Sequence, residues 1–142
     1  MRFNLSYRLF MKLSFFLAPV QAGFPSPADD HVEKKLDLNE LLVAHPASTF
    51  FVRVEGHSMR EAQIYDGDVL IVDRSLQPES GSIAVAIING EFTVKRLLRK
   101  KDRLFLVAEN PAFAALEITP EMDFQVWGIV TYVIHKVRIN RL

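Results

Sequence analysis

The stretch Ile83-Ala84-Val85-Ala86-Ile87-Ile88-Asn89-Gly90-Glu91-Phe92-Thr93-Val94-Lys95-Arg96-Leu97-Leu98 reads as two strands folded back on each other. Both halves are rich in β-branched and aromatic side chains, which suit a pleated, half-buried surface. The Asn-Gly pair between them suits a type I′ hairpin turn, whose two central positions need positive φ. Working outward, Ser80-Gly81-Ser82 is a turn, and Val69-Leu70-Ile71-Val72 is a strand after the Asp66-Gly67-Asp68 turn. Thr49-Phe50-Phe51-Val52-Arg53-Val54 is another strand. On the other side, Leu104-Phe105-Leu106-Val107 follows the tip Arg99-Lys100-Lys101-Asp102. Phe124 to Val137 is a long apolar run in which Gly128 marks a bend or bulge. Six or seven short strands with almost no helix predict a mainly β protein, a compact barrel-like antiparallel domain.

The composition agrees. The chain has 142 residues, 49% of them apolar and 24% charged, as in a globular protein of one domain. Seventeen basic and seventeen acidic residues give no formal net charge, which argues against a generic polyanion binder. There is no cysteine, hence no disulfide and no thiolate metal site. The sequence has no internal repeat.

Residues 1–22 differ from the rest. Arg2, Arg8 and Lys12 lie among apolar residues, no acidic residue precedes Asp29, and Val20-Gln21-Ala22-Gly23 follows. A basic start, a short apolar run and small residues before a glycine match a secretory signal peptide. The run Leu13 to Val20 is too short to span a bilayer. These residues alone leave export and internal processing both open, and in either case a cut after Ala22 is expected. Residues 23–40 read as an arm or linker, with Phe24-Pro25-Ser26-Pro27 held extended by its prolines. Leu36, Leu38, Leu41 and Leu42 predict a short amphipathic helix with Asp37 or Asn39 near its start. The main domain is expected over 41–142.

Nucleotide-cradling motifs are absent, and His31, His45, His57 and His135 are scattered without metal-ligand spacing. No cofactor and no metal are expected. Asp66-Gly67-Asp68 lacks the other ligands of a calcium loop and reads as a turn. Ser58, in Gly56-His57-Ser58-Met59-Arg60, follows a strand, where a rigid scaffold can present it. His57 is a poor base for it, because adjacent residues on an extended chain point to opposite sides. Lys95 and Arg96 are adjacent in one strand, so one of the two must face the more apolar side. A buried lysine has a lowered pKa, and a neutral lysine beside a serine is a general base. Spacing leaves open whether Ser58 and Lys95 meet.

Five segments in order resemble one family. These are Ala22-Gly23-Phe24-Pro25-Ser26-Pro27-Ala28, Leu36-Asp37-Leu38-Asn39-Glu40-Leu41-Leu42, Gly56-His57-Ser58-Met59, Asp66-Gly67-Asp68-Val69-Leu70-Ile71-Val72-Asp73, and Gly90-Glu91-Phe92-Thr93-Val94-Lys95-Arg96-Leu97. Over about residues 20–137 the chain resembles the UmuD group of the LexA-like self-cleaving serine peptidases. The resemblance implies a domain of the LexA C-terminal peptidase type with an extended N-terminal arm. It implies that Ser58 is the nucleophile, that Lys95 is the general base and that the Ala22-Gly23 bond is cut. The backbone N–H groups of Ser58 and Met59 would form the oxyanion hole.

Segment 1–22 then becomes a removable regulatory piece of a cytoplasmic protein. Cleavage would be stimulated by the RecA–single-stranded-DNA filament in the SOS response. The shortened form, a homodimer, would serve a UmuC-type Y-family polymerase in translesion synthesis. LexA and phage repressors carry a helix-turn-helix ahead of this domain, and 22 residues cannot hold one, so no sequence-specific DNA binding is expected. Lys95, Arg96, Arg99, Lys100, Lys101 and Arg103 read as a solvated hairpin end. The rival readings are a non-enzymatic polymerase-interaction module of the same fold and an exported β-domain. A type I signal peptidase would need a membrane anchor, which Lys12 and Pro19 interrupt.

Overall fold

The computed structural model describes residues 12–16, 20, 22, 23 and 33–137. The expectations placed on Arg2, Arg8, Pro19 and Phe24 to His31 lie outside the described residues. The chain divides into two compact units, 1–44 and 45–142.

In the first unit β1 (Lys12–Phe16) pairs antiparallel with β2 (Glu33–Asp37). Leu36, grouped above with the helix, instead sits in β2 opposite Leu13, where the two leucines form a cross-strand apolar pair. The helix α1 (Leu38–Leu42) starts where Asp37 caps it: the buried Asp37 carboxylate accepts from the Asn39 N–H at 2.9 Å. Val43 N–H closes the last turn on Asn39 O.

The second unit is mainly β and antiparallel throughout, as predicted. Its strands are β3 (Thr49–Arg53), β4 (Val69–Asp73), β5 (Ile83–Ile88), β6 (Glu91–Lys100), β7 (Arg103–Val107), β8 (Leu116–Ile118) and β9 (Phe124–Ile134). They form one sheet in the order β3-β4-β9-β5-β6-β7-β8. The Asn89-Gly90 turn has φ of 48° and 83°, the positive pair that its sequence predicted. β9 lies between β4 and β5, so the last strand joins the two halves of the sheet. Apolar side chains gather in two clusters. Val54, Met59, Ile64, Leu70, Val72 and Val85 form one. Ala84, Ala86, Leu97, Leu106 and Ile129 form the other.

The long apolar run does carry irregularities. Against β5 the register passes from Val85↔Gly128 to Ala86↔Val126, which leaves Trp127 as the extra residue of a bulge. Gly128 is required by close packing, because a Cβ there would meet Val72 Cγ1 at 2.5 Å. At the start of the unit, the buried Asp73 carboxylate gathers donors from three places. Ser75 gives it both its hydroxyl (2.6 Å) and its N–H (2.8 Å), Ser48 its hydroxyl (3.2 Å), and His45 Nδ1 lies at 2.5 Å. Ser75 foremost, with His45 and Ser48, holds Asp73 well below the usual carboxylate range against the opposing cost of burial.

Candidate active site

Ser58 lies on the loop between β3 and β4. The base of that loop is closed by Val54 N–H on Asp68 O and Gly67 N–H on Val54 O, both 2.8 Å. Gly56 turns the chain at φ +92°, and its N–H is held by Asp66 Oδ1 at 2.8 Å. Asp66-Gly67-Asp68 is a turn, with Gly67 at φ +87°. Both carboxylates are engaged within the fold. Asp66 takes the Gly56 N–H, and Asp68 takes the Tyr65 N–H and pairs with His135.

Met59, the next residue after the serine, is 2% exposed and plugs the first apolar cluster. Burying such a side chain is worth about 1.5–3 kcal/mol, enough to fix the position of its neighbour. Its carbonyl accepts from the Ala62 N–H across a single 3-10 turn, Arg60–Ala62, and from the Ile64 N–H just beyond it. The N–H groups of Ser58 and Met59 meet no acceptor among the described residues. His57 is exposed and makes no hydrogen bond to Ser58 among the described residues.

Lys95 comes from the middle of β6. Alternation places it with Thr93, and their partners across the sheet are Ala84 and Ala86, both 0% exposed. Two alanines opposite leave room for the lysine stem. Its Nζ reaches Ser58 Oγ at 2.9 Å, Thr93 Oγ1 at 2.9 Å and Val94 O at 3.2 Å. Desolvation by partial burial pushes the Lys95 amine below its ordinary value of 10.5. No carboxylate opposes that shift by pairing with Lys95 among the described residues. The neighbouring Arg96 takes the carboxylate instead. Its Nε pairs with Glu109 and its Nη1 donates to Gly81 O at 2.6 Å. The two adjacent cations are thus separated, the arginine to an acid and the lysine to hydroxyls.

Ser58 and Lys95 line a cleft of about 600 Å³. Its walls are largely apolar, with Val52, Val54, Met59, Val85, Phe92 and Trp127 around Ser58, Thr93 and Lys95, and the charged Arg53 and Glu55 also line it. The bulge sets Trp127 as one wall. Arg74 holds it, with the guanidinium 4.7 Å from the ring centroid and Nε donating to Trp127 O at 2.9 Å. Ala22 and Gly23 belong to the other unit, where both are exposed. Thr93 and Trp127 were not singled out from sequence. For Thr93 the signal existed, since it shares a strand face with Lys95. For Trp127 the signal was indirect: Gly128 marks a bend or bulge beside it, but which residue becomes the extra one is a property of register. Among the described residues no helix is long and apolar enough to cross a membrane.

Residues 15–131 match the peptidase S24-like family. The chain is 50% identical over 119 residues to Protein ImpA of Salmonella typhimurium, covering 83% of this chain and 80% of that protein. It is 47% identical over 121 residues to Protein MucA of Escherichia coli, covering 84% and 82%. To the LexA repressor of Pseudomonas chlororaphis it is 36% identical over 118 residues, which are 82% of this chain and 58% of the repressor.

Proposed function

The chain belongs to the peptidase S24-like family, among its UmuD-like members, and we propose that it is a serine peptidase that cuts its own Ala22-Gly23 bond. The observation that carries this reading is the 2.9 Å approach of Lys95 Nζ to Ser58 Oγ inside a largely apolar cleft. An uncharged amine has two N–H groups and one lone pair. Thr93 Oγ1 and Val94 O accept the two N–H groups, and the lone pair is left for the Ser58 hydroxyl proton.

In the first step Ser58 Oγ bonds to the Ala22 carbonyl carbon while its proton passes to Lys95 Nζ. The oxygen that gains charge is met by the N–H groups of Ser58 and Met59. Preorganised donors of this kind are commonly the largest single catalytic contribution. The bond from Ala22 C to Gly23 N then breaks, and Lys95 returns the proton to the leaving nitrogen. A water attacks the Ala22 ester, giving its proton to Lys95. The ester C–O bond breaks, Ser58 is restored, and residues 1–22 leave as a carboxylic acid.

In the same proposal the reaction takes place in the cytoplasm as part of the SOS response and is stimulated by the RecA–single-stranded-DNA filament. The shortened homodimer serves a UmuC-type Y-family DNA polymerase in translesion synthesis. Incubating purified chain with and without filament, alongside Ser58→Ala and Lys95→Ala, tests the chemistry. Both variants are expected to stay intact while the parent yields a new N-terminus at Gly23. Cutting by either variant at the parent rate overturns the site assignment. Capture of the polymerase by a chain starting at Gly23 and carrying Ser58→Ala tests the accessory role, and absence of capture contradicts it.

A further inference from the structure

The loop Ala108 to Asn110 joins the two elements that bring Ser58 and Lys95 together. Asn110 Nδ2 donates to His57 O at 2.8 Å. Glu109 O accepts the Glu61 N–H at 2.6 Å, three residues beyond Ser58. The Glu109 carboxylate pairs with Arg96, the neighbour of Lys95 on β6. Asn110 is itself held, because its Oδ1 accepts from Ala112 N–H at 3.0 Å and its carbonyl from Phe113 N–H at 3.1 Å.

The carbonyl of His57 and the N–H of Ser58 belong to one peptide group, and a peptide group is planar. Whatever grips the oxygen at one end of that plane sets the direction of the N–H at the other. Besides Asn110, only the Arg60 N–H donates to His57 O among the described residues, at a longer 3.3 Å. We infer that Asn110 is a positioning residue: by holding His57 O it aims the Ser58 N–H at the oxygen that becomes negative during acyl transfer. This rests on the self-cleavage reading above and adds to it a group outside the cleft. Asn110 touches no reacting atom and does not act through Lys95.

Asn110→Ser in the full chain tests it. Serine hydroxyls also satisfy an N–H two residues on, so the turn at Ala112 is kept, while the shorter side chain no longer reaches His57 O. Deleting an oxyanion donor outright costs roughly 10²–10³ in rate. Misaiming one is expected to lower the rate plateau at alkaline pH by about 10-fold or more. The pH at half-plateau should stay at the parent's value, because Lys95 sets it, and the melting temperature should stay close. Asn110→Asp serves as the second variant should the serine form unfold, since its carboxylate keeps an acceptor for the Ala112 N–H but offers no donor to His57 O, with the same plateau loss expected. A parent-like plateau in a folded variant overturns the inference while the self-cleavage reading stands. A shifted half-plateau pH also overturns it, since Asn110 would then act through Lys95. If the parent itself stays intact at every pH, the self-cleavage reading fails and the inference with it.

Discussion

Lys95 is costly to keep. Burial disfavours its charged form, so its folded pKa lies below the 10.5 of the unfolded chain. Below the folded value the protein must hold an unwelcome charge, and that burden lifts as pH rises through it. Stability attributable to Lys95 therefore increases toward alkaline pH, and activity should follow the same ionisation. The rate of self-cleavage is expected to rise with pH and reach half its plateau below pH 10.5, read by mass spectrometry of timed samples. A half-plateau at or above 10.5 contradicts the proposed desolvation. Lys95→Met should abolish cutting yet melt at or above the parent's temperature at neutral pH. Lys95→Arg should be inactive too, because a guanidinium does not deprotonate in proteins. Thr93→Val removes one acceptor of the lysine N–H groups. It should slow cutting about three- to tenfold, in line with the net worth of one hydrogen bond.

The hairpin β5–β6 carries Lys95, and the β3–β4 loop carries Ser58; each is only as precise as its packing. Met59 anchors the loop, so Met59→Ala should destabilise the domain by about 2–5 kcal/mol in urea unfolding and slow cutting as well. An unchanged midpoint would contradict the anchoring role. Asp73 ties β4 to His45, Ser48 and Ser75. Because its folded pKa is depressed, its contribution is fully present above the ordinary carboxylate value of 3.8 and is lost as pH falls further. Asp73→Ala should lower melting temperature near pH 7, and the difference from the parent should shrink in acid. A constant difference from pH 7 to the acid limit would contradict this.

Much at this level is legible in the sequence because it is local. Asn89-Gly90 specifies its turn, and Asp37 its helix cap. β8 is three residues long and sends no signal of its own. β2 hides in a charged stretch that only its pairing with β1 explains. Gly128 is conspicuous in the sequence, but its reason, the Val72 side chain against it, is a contact between distant strands.

Ser58 and Lys95 stand 37 positions apart, and Asn110 is farther still from the serine. Their residue types are suggestive, but their meeting depends on the order of the whole sheet, which no spacing rule supplies. A self-cleaving chain must also survive uncut until it is needed. Two populations can hold it back: chains in which Lys95 is charged, and chains in which Ala22-Gly23 is outside the cleft. A partner that favours the docked, neutral state accelerates cutting by raising its population. The RecA filament is therefore expected to raise the rate more at neutral pH than at alkaline pH, where a larger share of Lys95 is neutral because burial lowers its pKa. Equal acceleration at both would place its effect on docking alone.

The most direct measurement is intact-mass spectrometry of purified chain held near pH 10, with Ser58→Ala and Lys95→Ala in parallel. The parent should separate into 1–22 and 23–142 while both variants stay whole. A parent that remains intact there and with the RecA filament, or variants that cut as it does, would show that Ser58 and Lys95 are not a peptidase pair.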